Sequence, residues 1–120
     1  MNKRKIGKEQ EDRAAAHLES LGYRILEKNF CCRFGEIDLI AEQEDYLVFV
    51  EVKYRTDPQI SDPASAVNYK KQQRISRTAD YYRVRCKIAS DRPCRFDVVA
   101  ETPDEIRVYQ NAFPYRGNGW

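Results

Sequence analysis

The stretch Glu36–Tyr54, EIDLIAEQEDYLVFVEVKY, decides the fold of this chain. It contains two apolar segments, 36–42 and 46–54, that are rich in β-branched and aromatic residues. A polar turn, Gln43-Glu44-Asp45, separates them. The pattern predicts two strands joined as an antiparallel hairpin, and the unbroken apolar run Leu47–Val50 predicts that the second strand is covered on both faces.

The segments on either side of this hairpin predict an α/β fold. Apolar residues recur at i, i+3 and i+4 in two segments, which predicts helices over 7–21 and 64–84. The remaining elements are predicted as strands over 23–30, 95–100 and 105–109, with a loop over the proline-containing 55–63. The order predicts a mixed sheet flanked by helices, with the antiparallel hairpin at its centre.

Length and composition set the broad class of the protein. The 120 residues suit a single domain, predicted over 1–111, and the stretch 112–120 is predicted to be a flexible tail with little to pack. No apolar run approaches the roughly 20 residues that cross a bilayer, and no signal peptide is recognised, so we expect a cytoplasmic protein without a membrane partner. The cysteines at 31, 32, 86 and 94 match no usual zinc spacing and are expected to be reduced thiols.

Three charged residues interrupt the apolar hairpin. Strand alternation places Glu51 and Lys53 on one face of the second strand, and Asp38 with Ile40 on one face of the first, with Ile37 and Leu39 opposite. The pairing depends on the turn, because a loop with an odd number of residues would shift it by one. If the turn is centred between Glu44 and Asp45, Asp38 lies directly opposite Glu51. Their Cβ atoms would then lie roughly 4.5–5.5 Å apart.

Two carboxylates that face each other on a sheet repel, and burial increases the cost. A divalent cation would remove the repulsion, and hard oxygen ligands favour Mg²⁺ or Mn²⁺ over zinc. Lys53 would then orient a water molecule or stabilise developing negative charge. The alternative is that Asp38, Glu51 and Lys53 form an ordinary salt-bridged patch that faces solvent.

Each predicted helix carries one charged residue on its inward stripe. Glu11 lies with Ala14 and Leu18, and Lys71 lies between Val67 and Ile75. A metal near Glu11 and a phosphate near Lys71 would supply the partners that buried charges need. The alternative for both is a long side chain at the edge of the stripe that reaches water.

Basic residues cluster locally although the net charge is only +2. One cluster lies at the N-terminus, with Lys3, Arg4, Lys5 and Lys8, and another on the second predicted helix, with Lys70, Lys71, Arg74 and Arg77. Such zones are compatible with a polyanion bound through one face, and equally with solvated surface charge. In RFDVV, Asp97 shares a face with Arg95, which predicts a structural contact of Asp97, with Arg95 or with the backbone, beside the site.

The motifs in this order resemble those of the YraN-like family of small bacterial proteins. The resemblance covers roughly residues 7 to 100 and rests on GEIDLIA at 35–41, VFVEVKYR at 48–55 and RFDVV at 95–99. Glu11 with its alanines, and Ala66-Val67 followed by Lys71-Gln72, fit the same pattern. The family is similar to the PD-(D/E)xK nucleases and to archaeal Holliday-junction resolvases. In this sequence, Ile37 stands where the superfamily motif has proline.

This resemblance implies a restriction-endonuclease-like αβββαβ core and a site for Mg²⁺ or Mn²⁺. Asp38, Glu51 and Lys53 match the nuclease signature, and Glu11 matches the helix-1 glutamate of resolvase-like members. The metal ligands are then Asp38, Glu51, the main-chain carbonyl of Val52, and Glu11 for a second ion or a bound water. Nucleic-acid contacts are expected from the side chains of Arg55, Lys70, Lys71, Gln72 and Arg74.

The function expected from these residues is metal-dependent hydrolysis of DNA phosphodiester bonds. Kinship with resolvases implies branched DNA as the substrate and a homodimer. Two alternatives stay open. One is a non-catalytic nucleic-acid-binding module of a DNA-processing complex. The other is a protein-interaction domain that uses the C-terminal aromatic residues Phe113, Tyr115 and Trp120.

Overall fold

The computed structural model of the protein describes residues 7–56 and 67–117. Several sequence-based expectations fall on the other residues. The N-terminal basic cluster at Lys3, Arg4 and Lys5, most of the loop over 55–63, the helix start at Ala64 and the last aromatic residue, Trp120, lie outside the described residues.

Within residues 7–56 and 67–117, seven elements follow one another in the predicted order. They are α1 (Lys8–Ser20), β1 (Arg24–Cys32), β2 (Gly35–Gln43), β3 (Tyr46–Tyr54), α2 (Tyr69–Arg85), β4 (Cys94–Glu101) and β5 (Ile106–Phe113). The strands form one sheet in the order β1-β2-β3-β4-β5, in which β3 and β4 are parallel and the other neighbours antiparallel. The predicted α/β class, with a central hairpin in a mixed sheet, is confirmed, and the arrangement is compatible with a restriction-endonuclease-like core.

The hairpin has the register that the sequence predicts. The β2–β3 ladder runs from Gln43 paired with Tyr46 to Leu39 paired with Val50, across a two-residue turn. Glu44 in this turn has φ 56°, the left-handed conformation that two-residue hairpins require of at least one turn residue. Asp38 lies one position beyond the last pair of this ladder, so the hairpin delivers Asp38 and Glu51 to the same end of the sheet.

The two helices cover opposite faces of the sheet. Ala14, Ala15 and Leu18 of α1 pack in one cluster with the β-sheet residues Leu39, Ala41, Val48, Val50, Val52 and Val99. Ile75, Ala79 and Tyr82 of α2 pack in the other with Ile37, Ile40, Leu47, Phe49, Phe96 and Val98. Strand alternation therefore separates the two cores along β3, as predicted.

Alternation fails at one position of β2. The prediction that Ile37 shares a face with Leu39 is wrong, because Ile37 packs on the α2 side with Ile40. The β1–β2 ladder skips Asn29 and Asp38, pairing Lys28 with Leu39 and Phe30 with Ile37. Asn29 has φ 54°, which interrupts the pleat beside Asp38. The acidic residue thus lies at a local break in the sheet.

The second helix begins later than predicted. Val67, expected on its inward stripe, precedes the helix, although it is fully buried as expected. The helix starts at Tyr69 because the Asn68 side chain accepts a hydrogen bond from the Lys71 amide at 2.9 Å. An asparagine at the N-cap satisfies one of the amide groups that the first turn leaves unpaired.

The C-terminal segment packs against the domain further than the boundary at 111 implies. Strand β5 continues to Phe113, which is 3% exposed and belongs to the α2-side core. Beyond it, the Tyr115 hydroxyl donates to Asp80, and the Arg116 backbone amide donates to the Ser76 hydroxyl. The expectation that residues 112–120 have little to pack is therefore wrong for 113–116, because the side of α2 supplies polar partners.

No helix among residues 7–56 and 67–117 is long and apolar enough to cross a membrane. Cys32, Cys86 and Cys94 are free thiols.

Candidate active site

A cleft of about 1090 Å³ opens where β2 and β3 separate beyond their last ladder pair. The first turns of both helices reach it, because each helix begins at this end of the sheet. Its walls include acidic and basic side chains from α1, β1, β2, β3 and α2, among them Glu11, Lys28, Asp38, Glu51, Lys53, Arg55, Lys71 and Arg74. The topology thus brings three of the predicted catalytic residues from two adjacent strands to one cavity.

Asp38 lies at the base of this cleft and is only 9% exposed. One of its carboxylate oxygens accepts a hydrogen bond from the Val52 amide at 2.8 Å, which ties the break in β2 to β3. Burial, followed by the negative charge of Glu51, raises the pKa of Asp38 to about 8. A state in which both Asp38 and Glu51 are negatively charged is therefore unfavourable at neutral pH when no cation is bound.

Glu51 is 5% exposed and is held by two lysines. The Lys71 ammonium lies 2.8 Å from its Oε2 atom, and the Lys53 ammonium lies 3.9 Å from the same atom. Lys71 reaches Glu51 because odd-numbered residues of β3 face α2, the side from which the helix approaches. The predicted inward orientation of Lys71 is therefore found, with Glu51 as its partner.

Lys53 lies half-buried between positive neighbours. Burial, and then the charge of Lys71, lower its pKa, so its amine releases a proton more readily than an ordinary lysine does. This is the direction expected for a lysine that accepts a proton from water near neutral pH.

Glu11 projects from α1 into the opposite wall of the cleft and is 4% exposed. Its carboxylate accepts a hydrogen bond from the Asn29 side chain at 2.9 Å, and its pKa is raised by burial and by the charge of Asp12. Among the described residues, no group of three or more acidic, histidine or cysteine side chains is arranged to hold a metal ion. Glu11 therefore shares the cleft with Asp38 and Glu51 without completing a three-carboxylate ligand set.

The remaining pair of carboxylates still fits a hard divalent cation. Oxygen atoms are the donors that Mg²⁺ and Mn²⁺ prefer, and Mg²⁺ commonly takes only one or two carboxylates from a protein. The raised pKa of Asp38 also favours a cation site, because a bound cation would stabilise the charged form of the carboxylate.

The predicted nucleic-acid contacts divide into two groups. Arg55, Lys71 and Arg74 line the cleft. Lys70 is exposed but does not line it, and Gln72 is buried with both ends of its amide engaged: its NH₂ group donates to the Val67 carbonyl, and its oxygen accepts from Arg116. Gln72 thus holds the start of α2 and the C-terminal segment together.

A family description matches most of the chain. Residues 10–100, which carry every predicted metal-ligand and catalytic residue, match "Uncharacterised protein family UPF0102". The chain belongs to the UPF0102 family. The family prediction made from the three motifs is confirmed.

Relatives named as UPF0102 proteins match the chain along nearly its whole length. One from Lachnoclostridium phytofermentans is 47% identical over 98% of this chain and 100% of its own length. Another from Thermodesulfovibrio yellowstonii is 44% identical over 90% and 95%, and one from Syntrophus aciditrophicus is 50% identical over 87% and 83%. These names identify the family and state no reaction.

In this UPF0102 protein, the sequence reasoning missed Asn29 and Lys28 as parts of the cleft. Asn29 combines a left-handed backbone with the hydrogen bond to Glu11, and Lys28 pairs with Asp12 at 3.0 Å. An asparagine inside a predicted strand was the available signal, because asparagine is depleted in strands and enriched at positive φ.

The predicted structural contacts of Asp97 are found, with Arg95 and with the backbone, but Asp97 does not line the cleft. Asp97 is fully buried, and Arg95 reaches its two oxygens at 2.9 and 3.1 Å. The Tyr23 hydroxyl and the Asn111 amide complete its hydrogen bonds. This hydrogen-bond network joins the loop that follows α1 to β4 and β5, so Asp97 has a structural role.

Proposed function

We propose that the protein is a metal-dependent nuclease of the PD-(D/E)xK type that hydrolyses phosphodiester bonds of DNA, with branched DNA as the favoured substrate. The observation that carries the proposal is the meeting of Asp38, Glu51 and Lys53 in one cleft, with the pKa of Asp38 raised to about 8 by burial and by Glu51. Folding has gathered like charges that a cation would stabilise.

Asp38, Glu51 and the Val52 carbonyl are the groups that would hold Mg²⁺ or Mn²⁺. Such an ion supplies a Lewis acid that offsets negative charge on the phosphoryl group. The protein's own contribution begins with orientation: the Val52 amide fixes one oxygen of Asp38, and Lys71 fixes one oxygen of Glu51. Neither carboxylate needs to reorganise when substrate arrives.

Lys53 is assigned to the attacking water. Its lowered pKa favours the neutral amine that can take a proton from water as the oxygen attacks phosphorus. One P–O ester bond breaks as the new bond forms, and the leaving oxygen takes up a proton. Arg55, Lys71 and Arg74 offer positive charge to the phosphates on either side, a contact that positions the backbone without reading bases.

The first test is titration of Mn²⁺ into the wild type, Glu51→Gln and Asp38→Asn by isothermal calorimetry, followed by incubation of each with a four-way DNA junction. We expect metal binding and cleavage by the wild type only. Glu36→Gln is the matched control, because Glu36 lines the same cleft and is exposed. A wild type that binds no metal, with or without DNA, overturns the proposal.

A second candidate function has its own supporting observation. Lys71 already neutralises Glu51 at 2.8 Å, which suits a cleft that binds nucleic acid without a metal. A non-catalytic module of a DNA-processing complex would bind the junction at low salt in the presence of a chelator, and Mn²⁺ would cause no cleavage. Sedimentation of the protein alone and with the junction tests the homodimer that the resolvase resemblance implies.

A further inference from the structure

A surface of exposed arginines, one exposed tyrosine and one half-buried phenylalanine adjoins the cleft. It is made by Arg33 and Phe34, which form the turn between β1 and β2, and by Arg74, Arg77 and Tyr81 on α2. We call these five residues the aromatic–basic surface. Cys32 and Gly35 on either side of the turn, and Arg74 on the helix, line the cleft, so the surface continues directly from its rim.

The helical part of this surface is a straight stripe. Lys70, Arg74, Arg77 and Tyr81 are separated by four, three and four residues, which places them on one face of α2, and all four are exposed. At about 1.5 Å per residue the stripe extends for roughly 16 Å. Three cations followed by an aromatic ring thus lead away from the cleft in one line.

The aromatic rings at its end contact each other and the core. The Phe34 and Tyr81 rings meet at 6.4 Å between centroids, and Tyr81 also lies 6.2 Å from the ring of Phe30, which is 5% exposed in the core. The turn approaches the helix closely at Gly35, where a Cβ would lie 3.4 Å from the Thr78 hydroxyl. Tyr81 nevertheless remains 38% exposed, and the Arg33 guanidinium lies 5.0 Å from the Phe34 centroid.

We propose that the aromatic–basic surface binds a single-stranded segment of nucleic acid beside the cleft, with an unpaired base stacked on Phe34 and Tyr81 and adjacent phosphates on Arg74 and Arg77. This inference deepens the proposed function and rests on it for the fate of the bound strand. Aromatic rings next to arginines are the combination by which proteins bind single strands irrespective of sequence.

Two features of this surface favour a single strand over a duplex or a second copy of the chain. The faces of bases inside a duplex are covered by their neighbours, so exposed protein rings are useful only to unstacked bases. A second copy of the chain, placed symmetrically on this surface, would bring one set of Arg33, Arg74 and Arg77 against the same basic set of the other copy, and like charges disfavour such an interface.

The test uses an oligothymidylate that contains one 2-aminopurine, whose fluorescence falls when the base stacks. The measurement is made in EDTA, with a fully paired duplex of the same length as competitor. The wild type should quench the probe and prefer it to the duplex. Phe34→Leu and Tyr81→Leu should each weaken probe binding roughly tenfold, the order expected for one lost stacking contact, while duplex binding changes little.

Tyr46→Leu is the matched control, because Tyr46 is also 38% exposed but is the first residue of β3, beside the hairpin turn and away from the β1–β2 turn. It should bind the probe like the wild type. Phe34→Trp and Tyr81→Phe should retain quenching, which guards against misreading a folding defect. Equal loss of probe and duplex binding in the leucine variants, or an unquenched probe with the wild type, overturns the inference. A change in sedimentation instead of DNA binding would overturn it in favour of a second copy.

Because the binding assay is made in EDTA, it tests the single-strand site independently of metal-dependent cleavage. Quenching by a protein that never cleaves a junction keeps the single-strand site and removes the nuclease. Cleavage by a protein that does not quench the probe keeps the nuclease and removes the site.

Discussion

At the scale of single residues, Asp38 has the environment that is hardest to explain without a ligand. It is nearly buried, it lies near Glu51, and it sits where the β1–β2 ladder is interrupted, with a hydrogen bond from the Val52 amide. A protein selected for stability alone would place an asparagine or an apolar residue there. The cost of the charged form is consistent with a site maintained for chemistry.

This environment predicts a pH-dependent stability in the absence of metal. The unfolded chain loses the Asp38 proton near pH 4, whereas the folded protein keeps it until about pH 8. Between these values folding binds a proton, so the free energy of unfolding falls as pH rises, by up to about 1.4 kcal/mol per pH unit from this group. The contribution is complete below pH 4 and is lost above pH 8.

Asp38→Asn removes this titration. We expect the variant to match the wild type near pH 4 and to become progressively more stable than it towards pH 8, with a constant difference above that. Urea unfolding in EDTA across this range measures the effect. Parallel curves for the two proteins would show that Asp38 is ionised in the folded state.

At the scale of elements, α2 is held from two directions. Its core face packs under the sheet through Ile75, Ala79 and Tyr82. Its side is joined to the C-terminal segment by the contacts of Arg116 with Ser76 and Gln72. Because Lys71 precedes Gln72, this segment also steadies the part of the helix that pairs with Glu51.

The packing of Phe113 at the end of β5 predicts a stability effect that a flexible tail over 112–120 would not have. Phe113 is 3% exposed, and its ring stacks on Phe96 with the centroids 5.1 Å apart. Phe113→Ala should cost about 3–5 kcal/mol of unfolding free energy, the range for a buried phenylalanine. Denaturant unfolding measures this, with Val84→Ala as the control.

The control is informative because Val84 is an apolar residue that is 76% exposed on α2. Its replacement should change the free energy of unfolding by no more than about 0.5 kcal/mol. If Phe113→Ala cost as little as Val84→Ala, β5 would end before this residue in solution.

At the scale of the whole molecule, the placement of charge matters more than its sum. The net charge is +2, yet Lys8, Lys28, Lys53, Arg55, Lys71 and Arg74 all line one cleft. Acidic residues share its floor, so the cations are arranged around them as a rim. A polyanion that follows the rim would release counterions, and its affinity would depend on salt.

Arg74→Ala should therefore weaken junction binding and reduce the slope of log affinity against log salt by about one phosphate contact. Fluorescence anisotropy at several salt concentrations in EDTA measures the slope. Arg24→Ala is the control, since Arg24 is an exposed arginine outside the cleft and Glu42 keeps its 3.0 Å contact with Arg92. Equal slopes for all three proteins would exclude Arg74 from the phosphate contacts.

The sequence by itself determined the hairpin and the residues that it carries to the cleft. Alternation is local, so 36–54 predicts which residues of the second strand share a face, and the assumed two-residue turn gives the register that the ladder has. The order of the elements restricts the remaining fold to a flanked mixed sheet. The inward position of Glu11 and the Arg95–Asp97 pair followed from the same periodicities.

Tertiary structure alone decided the other features, because each depends on groups distant in sequence. The break at Asp38 needs the left-handed Asn29 of β1, and the Lys71–Glu51 contact needs α2 on the correct face of β3. The Asn68 cap moved the helix start, and the packing of β5 on the core ordered Phe113. The raised pKa of Asp38 exists only once folding has removed water and brought Glu51 near. Periodicity reports which way a side chain points, whereas burial and pairing depend on what the rest of the chain places opposite it.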